Sequence, residues 1–335
     1  MAIVETLQEI KNSVNDIIKL GFEITRAQGH YVPGYEDSSL SFESGKNKKA
    51  KTINTCVLYA DIRDSTTLSH SHSHETMSRL YTAFVKSMLM IADEHNGVVR
   101  NIIGDRVMIV FPQDNCFQNA LNAAVSIYTV ATEIIDKQFT GLSFKCGIGI
   151  DYGEMTIIKA GLPKREPERT NYKNLIWIGK PANIASKLTD VAHKTIKKTF
   201  FKVSYNGYNF FGIHFPVFNI QGLPIASPAS QSIYNSSISV DEIDELEFVK
   251  NITWDKSLGF SYAKGKFISF EKIERDYVEA PILFSEAVYS GFVSAYPNDP
   301  TIKQGFWRKQ QVALKDYTGQ VYGGTVFWQV SGKLH

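Results

Sequence analysis

The sequences VLYADI at Val57–Ile62 and NIIGDRVMIVF at Asn101–Phe111 decide the fold of this 335-residue chain. The first is an apolar run interrupted by one carboxylate, and the second is two apolar runs joined at Gly-Asp. Short apolar runs on both sides of a Gly-Asp pair predict a β-hairpin. Between them, residues 75–95 carry apolar side chains at helical spacing. The predicted order is therefore strand, helix, strand, turn, strand.

This order can bring two carboxylates, Asp61 and Asp105, to the same edge of one sheet. A right-handed crossover sets consecutive strands of a sheet near one another, so the end of the first strand can meet the hairpin turn. An aspartate inside an apolar strand is rarely buried without a partner, because its desolvation is costly. Paired carboxylates suit hard divalent cations, and such cations suit phosphates. The pattern predicts a metal site for a phosphate-bearing substrate.

Three segments resemble, in order, the signatures of the class III nucleotide cyclases. Tyr59–Thr66 (YADIRDST) resembles Phe-Ala-Asp-Ile-x-Gly-Phe-Thr. Asn101–Asp105 lies where that family has Lys-x-x-Gly-Asp or Glu-x-x-Gly-Asp. Gly179–Lys187 (GKPANIASK) resembles Gly-x-x-Val-Asn-x-Ala-x-Arg. The resemblance covers about residues 52–192 and implies an α+β fold with a ferredoxin-like core, an antiparallel-rich sheet with helices on one face.

The resemblance and the composition divide the chain into three predicted parts. These are an N-terminal helix and linker at 1–50, a cyclase domain at 51–195, and a C-terminal α+β extension of unknown role at 196–335. Within the domain we expect a helix over 115–137 and a strand over 142–150 that turns at 151–153 before a second strand over 155–160. In the extension the pattern predicts helices over 240–249, 270–278 and 283–295 and a strand over 321–330.

The composition is that of an ordinary soluble globular protein, with 43% hydrophobic and 21% charged residues. The formal net charge of +2 provides no overall field for nucleic acid or a membrane surface. No apolar run approaches the ~18 residues that a membrane span requires. The three cysteines have no metal-ligand spacing, which indicates buried thiols in a reducing compartment. We therefore expect a cytoplasmic protein that binds neither nucleic acid nor membrane.

The resemblance implies a nucleoside triphosphate substrate and two Mg²⁺ or Mn²⁺ ions per active site. Their expected ligands are Asp61, Asp105 and the Ile62 carbonyl. Such ions lower the pKa of the ribose 3′-hydroxyl that attacks the α-phosphate, and they neutralise the triphosphate. Three side chains that follow the first strand are suited to the β- and γ-phosphates, together with the amides at the next helix start: Arg63, Ser65 and Thr66.

The base-reading positions depart from those of purine cyclases. Asn101 occupies the place of the purine-selecting Lys or Glu, and Ile176 stands where adenylate cyclases usually have Asp. Tyr59 replaces the usual Phe and points to the same strand face as the carboxylate two residues later. Arg106 adds a cation at the edge of the site and is a candidate catalytic residue. This combination resembles the pyrimidine cyclases of the bacterial antiphage Pycsar systems, which make cyclic CMP or cyclic UMP in antiviral defence.

The choice between the two pyrimidines stays open at this point. The Asn101 amide carries both a donor and an acceptor, so by rotating it matches either uracil or cytosine. Arg106 only donates, and if it reaches the base it prefers the O4 acceptor of uracil, which favours UTP over CTP.

Asn183 and Lys187 are the remaining candidate catalytic residues. Asn183 resembles the ribose-orienting Asn of the family, and Lys187 stands in the place of a transition-state Arg, without the guanidinium fork. In the family these residues serve the metals of the partner subunit. The resemblance therefore implies a homodimer with active sites at its interface.

The first 24 residues carry an apolar stripe at helical spacing: Ile3, Leu7, Ile10, Val14, Ile17, Ile18, Leu20 and Ile24. A helix with this stripe either pairs with a second copy as a short coiled coil or packs on its own domain. The stripe is shorter than the ~3–4 heptads that would favour the coil, so the pattern leaves both open.

Other functions compete with the pyrimidine cyclase. An adenylate or guanylate cyclase with an unusual base pocket would share the metal carboxylates. A degenerate nucleotide-binding regulatory module would explain Lys187 and the missing purine determinants, but not both carboxylates and Asn183. A ferredoxin-like RNA binder is disfavoured, because no aromatic motif of the RNA-recognition type lies on the predicted strands.

Overall fold

The computed structural model describes residues 2–42, 47–161, 173–208, 233–257 and 259–329. The chain divides into two compact units. Unit 1 comprises Met1–Lys194 and Glu279–His335, and unit 2 comprises Thr195–Val278. We predicted one C-terminal extension from residue 196, whereas the chain from Glu279 onward returns to unit 1.

The helices are α1 (Ala2–Ile18), α2 (Ser65–Ser71), α3 (His74–Glu94), α4 (Cys116–Val130), which continues through a π-helical turn (Ala131–Ile135) into α5 (Asp136–Gln138), α6 (Lys180–Val191), α7 (Glu245–Asn251), α8 (Glu286–Ala295) and α9 (Pro300–Lys303). The strands are β1 (Gly21–Arg26), β2 (Asn47–Ile62), β3 (Val98–Ile103), β4 (Arg106–Val110), β5 (Cys146–Gly161), β6 (Lys173–Ile178), β7 (Thr195–Tyr208), β8 (Tyr234–Asp244), β9 (Ile252–Asp255), β10 (Gly259–Tyr262), β11 (Gly265–Val278), β12 (Ile282–Ser285), β13 (Arg308–Gln310) and β14 (Val321–Gly324).

Unit 1 is built on one mixed sheet with the strand order β13-β14-β12-β5-β2-β4-β3. In addition, β1 pairs with β2 and β6 pairs with β5. Most pairs are antiparallel, and β1–β2 and β5–β12 are parallel. The predicted hairpin is present as β3 and β4, with Gly104 at φ 62° in the turn. The α+β class with an antiparallel-rich sheet is therefore confirmed.

Helices α3, α4 and α8 pack against one face of this sheet. The predicted stripe of α3 is buried there, with Leu80, Phe84 and Met88 fully inaccessible beside Leu58 of β2. Burying a side chain of this size stabilises a fold by about 1.5–3 kcal/mol. Ser73 caps the helix by accepting from the Thr76 amide, which explains why α3 begins at His74.

The opposite face is covered by α6, a helix that we expected beside the others. A row of glycines on β5 lets α6 lie close to the sheet. A Cβ on Gly149 would lie 2.2 Å from the Ala185 carbonyl oxygen, and one on Gly147 would lie 2.5 Å from that of Ala192. Glycine therefore fixes where α6 sits relative to the strand ends.

The predicted turn at 151–153 is wrong, because β5 runs unbroken to Gly161. Tyr152 and Gly153 pair in register with Cys56 and Thr55 of β2. Asp-Tyr-Gly is favourable in a turn, but the long partner strand satisfies its backbone groups and keeps the segment extended.

Unit 2 contains a second sheet with the order β8-β7-β11-β10-β9. The helix predicted over 240–249 is half right, since α7 begins at Glu245 and the residues before it end β8, and the helix predicted over 270–278 is wrong, since these residues form most of β11. The long antiparallel pairing of β11 with β7 explains the second error, because it satisfies both backbones at once. The predicted helix over 283–295 divides into β12 and α8, and the last predicted strand is observed only at Val321–Gly324.

The predicted N-terminal linker also contains regular structure, namely β1 and the first residues of β2. Cys56, Cys116 and Cys146 are buried free thiols, as predicted. Within the described part of the chain, no helix is both long enough and apolar enough to cross a bilayer.

Candidate active site

Asp61 lies one residue before the end of β2 and is only 9% exposed. Its register partners are Arg106 at the start of β4 and Gly147 on β5. The carboxylate oxygen Oδ2 accepts hydrogen bonds from Arg63 Nη2 at 2.9 Å and from Arg106 Nη2 at 2.7 Å. The charges and hydrogen bonds of two guanidinium groups therefore offset the cost of desolvating one carboxylate.

Arg106 also links the hairpin to α6. Its Nη1 donates to Ser186 Oγ at 2.8 Å, and its Nη2 donates to Asp190 Oδ1. The sequence interpretation missed both acceptors. A signal for Asp190 was available, because it lies seven residues after Asn183 and therefore on the same side of the helix.

The electrostatics of Asp61 depend on Asp105, which is half-buried in the hairpin turn. Burial raises the pKa of Asp61, the hydrogen bond from Arg106 opposes this, and the charge of Asp105 raises the pKa further. For Arg106, burial lowers the pKa, but the bonds to Asp61 and Asp190 outweigh it and raise the pKa overall. The two predicted metal carboxylates are therefore close enough to repel each other.

The donor set fits a hard divalent cation. Two mutually repelling carboxylates and the backbone carbonyl of Ile62 offer only oxygen, as Mg²⁺ and Mn²⁺ prefer. Among the described residues, no group of three or more His, Cys, Asp or Glu side chains is placed to hold a metal. The predicted set needs no third side chain. A divalent cation would compete with the guanidinium groups of Arg63 and Arg106 for the Asp61 carboxylate.

The residues predicted to hold phosphates follow Asp61 directly. Arg63 turns back onto the Asp61 carboxylate, and its Nη1 donates to the Asp190 carbonyl at 3.3 Å. Arg63 Nε is buried and has no hydrogen-bond partner among the described residues. Helix α2 begins at Ser65, and Thr66 is exposed in its first turn.

The predicted base-reading residues Asn101 and Tyr59 share one row across three strands. Asn101 pairs with Met108, and Met108 pairs with Tyr59. An irregularity in β3 between Val99 and Asn101 sets this register and turns Asn101 to the face where Met108 lies. The Tyr59 hydroxyl donates to Met108 Sδ at 3.2 Å, and burial raises its pKa.

Ile176 does not join this row. It pairs with Ile158 and is 45% exposed, whereas its neighbour Trp177 pairs with Ile157 and packs on the buried cluster that contains Met108. Successive residues of a strand point to opposite faces, so Trp177 rather than Ile176 lies on the Tyr59 side. The position of Ile176 in the sequence identified its strand, β6, but not the face of the sheet on which it lies.

Arg100 is a further residue that the sequence did not identify. Its guanidinium carbon lies 5.8 Å from the Trp177 ring centroid, and its Nη2 donates to the Val32 carbonyl at 2.9 Å. Burial lowers its pKa. Arg100 Nε and Trp177 Nε1 are buried donors without a hydrogen-bond partner among the described residues. An arginine inside the otherwise apolar β3 was the available signal.

Asn183 and Lys187 lie on α6 but do not join the Asp61 cluster. Asn183 is exposed. Lys187 Nζ donates to the Lys315 carbonyl at 2.7 Å and to Asp316 Oδ2 at 3.0 Å. Within one chain, α6 therefore presents Ser186 and Asp190 to Arg106, and directs Lys187 to the segment after β13.

Comparison with known proteins gives matches that overlap this site. Residues 48–197 match the family described as adenylate and guanylate cyclase catalytic domain. A uridylate cyclase from Burkholderia cepacia is 30% identical over 173 residues, which is 50% of this chain and 71% of that protein. A uridylate cyclase from Xanthomonas perforans is 30% identical over 189 residues, which is 55% of this chain and 76% of that protein.

Solved structures of lower identity also align with the chain. The adenylyl cyclase CyaB from P. aeruginosa has a TM-score of 0.44 at 15% identity, covering 82% of this chain and 94% of that one. The catalytic core of a rhodopsin-guanylyl cyclase with converted specificity has a TM-score of 0.45 at 14% identity, covering 83% and 98%.

Removing the Asp61 carboxylate should destabilise the protein as well as weaken Mn²⁺ binding. Asp61→Ala leaves the buried Arg63 without its carboxylate, and breaking such a pair costs about 3–5 kcal/mol. Because Arg106 keeps Ser186 and Asp190, we expect the lower end of this range. Asp61→Asn retains an acceptor and should cost about 1–2 kcal/mol. Urea unfolding measures stability, and electron paramagnetic resonance measures bound Mn²⁺. Equal unfolding free energies for Asp61→Ala and wild type would contradict the ion-pair assignment.

Neutralising Asp105 should lower the pKa of Asp61 in the metal-free protein, because it removes a neighbouring negative charge. A raised carboxyl pKa makes the free energy of unfolding fall as pH rises through it, so Asp105→Asn should also reduce that fall. Carbon-13 NMR of the aspartate carboxyls measures the pKa, with Asp61→Asn identifying the signal. Glu94→Gln, at the exposed end of α3, is the control. An unchanged or higher pKa in Asp105→Asn would show that the two carboxylates do not interact.

Proposed function

Because the chain belongs to the adenylate and guanylate cyclase catalytic domain family, we propose that it converts a pyrimidine nucleoside triphosphate to the 3′,5′-cyclic monophosphate and pyrophosphate. As a family member it is a nucleotide cyclase, a phosphorus–oxygen lyase. The observation that carries the pyrimidine assignment is the row of Asn101, Met108 and Tyr59. An amide with both a donor and an acceptor stands at one end of this row, in place of the charged purine-selecting side chain, and a phenol stands at the other end.

Ring closure joins the ribose 3′-oxygen to the α-phosphorus and breaks the bond to pyrophosphate, while the hydroxyl proton leaves. Mg²⁺ or Mn²⁺, when bound, lowers the pKa of that hydroxyl and neutralises the leaving group. Asp61, Asp105 and the Ile62 carbonyl are the groups that would hold two such ions. We assign Arg63, with the hydroxyls of Ser65 and Thr66, to the triphosphate, and in this role Arg63 would leave the Asp61 carboxylate that it contacts in the structure.

The contacts of Arg106 do not support a role for it in selecting uracil. Arg106 is engaged by Asp61, Ser186 and Asp190, so it is not a ready donor to the base. Trp177 Nε1 and Arg100 Nε are buried donors without a hydrogen-bond partner among the described residues, and they favour UTP over CTP if the bound base reaches them. Donors suit carbonyl oxygens, of which uracil has two and cytosine one. The relatives named uridylate cyclase add to this preference.

The remaining parts of the proposal concern the partner subunit and the product. Asn183 is exposed on α6 and free to serve the metals of a second copy, which supports a homodimer with shared sites. We assign the cyclic pyrimidine nucleotide a signalling role in antiphage defence, in line with the resemblance to pyrimidine cyclases. A purine cyclase is the main competing function, and the substrate profile separates the two.

Initial rates with UTP, CTP, ATP and GTP in Mn²⁺ test the proposed substrate. We expect UTP to be the best substrate of the wild type. Asn101→Ala removes the hydrogen-bond partner of the bound base at a cost of about 1–3 kcal/mol, so it should lower the UTP rate roughly ten- to a hundredfold and the purine rates much less. Ile176→Ala, on the other strand face, is the matched control and should leave the preference unchanged.

Three results would contradict parts of this proposal. A best rate with ATP or GTP would refute the pyrimidine assignment. Equal losses with all four substrates would mean that Asn101 does not read the base. No cyclic product from any triphosphate would favour the regulatory module.

Mixing two inactive variants tests the shared site. Asp61→Asn and Asn183→Ala each disable both sites of a homodimer, whereas a mixed dimer keeps one intact site. With full subunit exchange, half of the dimers are mixed and roughly a quarter of the wild-type activity should return. Size-exclusion chromatography with differently tagged chains verifies the exchange. Activity that stays absent after proven exchange would mean that each chain carries its own complete site.

A further inference from the structure

Helix α1 exposes its apolar side chains. Every residue from Ile3 to Lys19 is exposed, and along the helix the large apolar residues remain between 45% and 75% accessible. The sequence left open whether this stripe packs on its own domain or on a second copy. The structure excludes the first possibility, because α1 does not bury its stripe on its own unit. A single helix of 17 residues is only marginally stable in water, so a partner for this face is expected.

The spacing of the stripe identifies the kind of partner. Five residues along the middle of the stripe are spaced four, three, four and three positions apart: Ile3, Leu7, Ile10, Val14 and Ile17. This is the heptad spacing of a coiled-coil seam. No charged or polar side chain interrupts this seam. In a parallel pair of identical helices, all five residues meet their counterparts. In an antiparallel pair, a positions meet d positions, so only four layers form and either Ile3 or Ile17 is left out.

The charges of α1 argue against a lipid surface as the partner. The helix carries three acidic residues, Glu5, Glu9 and Asp16, and one lysine, Lys11. Helices that lie in membrane interfaces have polar faces rich in Lys and Arg. An anionic bilayer would repel this face.

We infer that α1 pairs in parallel with α1 of a second copy and thereby holds the two catalytic units of one dimer together. A two-residue link joins α1 to β1, and β1 pairs with the first residues of β2, the strand that ends at the Asp61 site. The inference rests on the proposed homodimer for its stoichiometry, because Ile at d positions does not by itself select two strands. The catalytic units supply the effective concentration that so short a seam requires.

Cysteine crosslinking in the full-length chain tests the orientation. Ile17→Cys should form a two-chain product with a short bismaleimide, because the two thiols are adjacent only in the parallel pair. In the antiparallel pair they would lie about 15 Å apart if Ile3 is left out and about 25 Å apart if Ile17 is left out, given the rise of 1.5 Å per residue. Asn15→Cys, one step outside the seam, is the matched control and should crosslink several-fold less. The wild type gives the background, because its three thiols are buried.

Added charge tests the energetic role of the seam. Ile10→Asp with Val14→Asp should raise the dimer dissociation constant tenfold or more in sedimentation experiments. Gln8→Asp with Asn15→Asp adds the same charge to the outer face and should change it less than twofold. Circular dichroism verifies that the variants remain folded.

Several results would overturn the inference. They are crosslinking of Ile17→Cys no greater than that of Asn15→Cys, a four-chain species, an unchanged dissociation constant in the seam variant, or binding of α1 to phosphatidylcholine vesicles in place of pairing. A monomeric wild type would overturn both the pairing and the proposed homodimer. A crosslinked dimer that cyclises no triphosphate would refute only the proposed function.

Discussion

Desolvation of the Asp61 carboxylate is the constraint on which the rest of the site depends. A carboxylate at the end of a strand in the centre of a sheet loses most of its hydration, and this loss must be compensated by charge and hydrogen bonds. Arg63 and Arg106 supply both in the metal-free protein. Arg106 in turn needs acceptors for its remaining donors, and it finds them on α6. One buried charge thus links the β3–β4 hairpin, the end of β2 and α6.

Two kinds of positive charge can neutralise the Asp61 carboxylate, a guanidinium group or a divalent ion. Burial and the charge of Asp105 raise the pKa of Asp61, and the hydrogen bond from Arg106 opposes them. Divalent ions and guanidinium groups can both neutralise this carboxylate, and they compete for the same oxygen atoms. Arg106 is therefore better understood as a counter-ion of the metal-free site than as a reader of the base.

Helix α6 is the element that couples the two sides of the proposed site. Glycines on β5 allow it to approach the sheet more closely than any side chain would permit. Ser186 and Asp190 of the helix accept hydrogen bonds from Arg106. Asn183 and Lys187 do not contact the Asp61 cluster. If Asn183 and Lys187 take the proposed ribose and transition-state roles in a homodimer, a displacement of α6 would affect both sites, because it would also move the acceptors of Arg106.

The sequence by itself determined the α+β class, the hairpin, the long helix α3 and the meeting of Asp61 and Asp105 at one edge of the sheet. These follow from local periodicity, turn chemistry and the cost of burying a charge, all of which can be read along the chain. Only the tertiary structure decided which partners complete those elements. The alternation of a strand could not show whether Ile176 or Trp177 faces Tyr59, because the face depends on the register with β5. Nor could local preference keep Asp151–Gly153 extended or return Ile282–Ser285 to the first sheet, because long-range pairing with β2 and β5 supplies the hydrogen bonds that outweigh it.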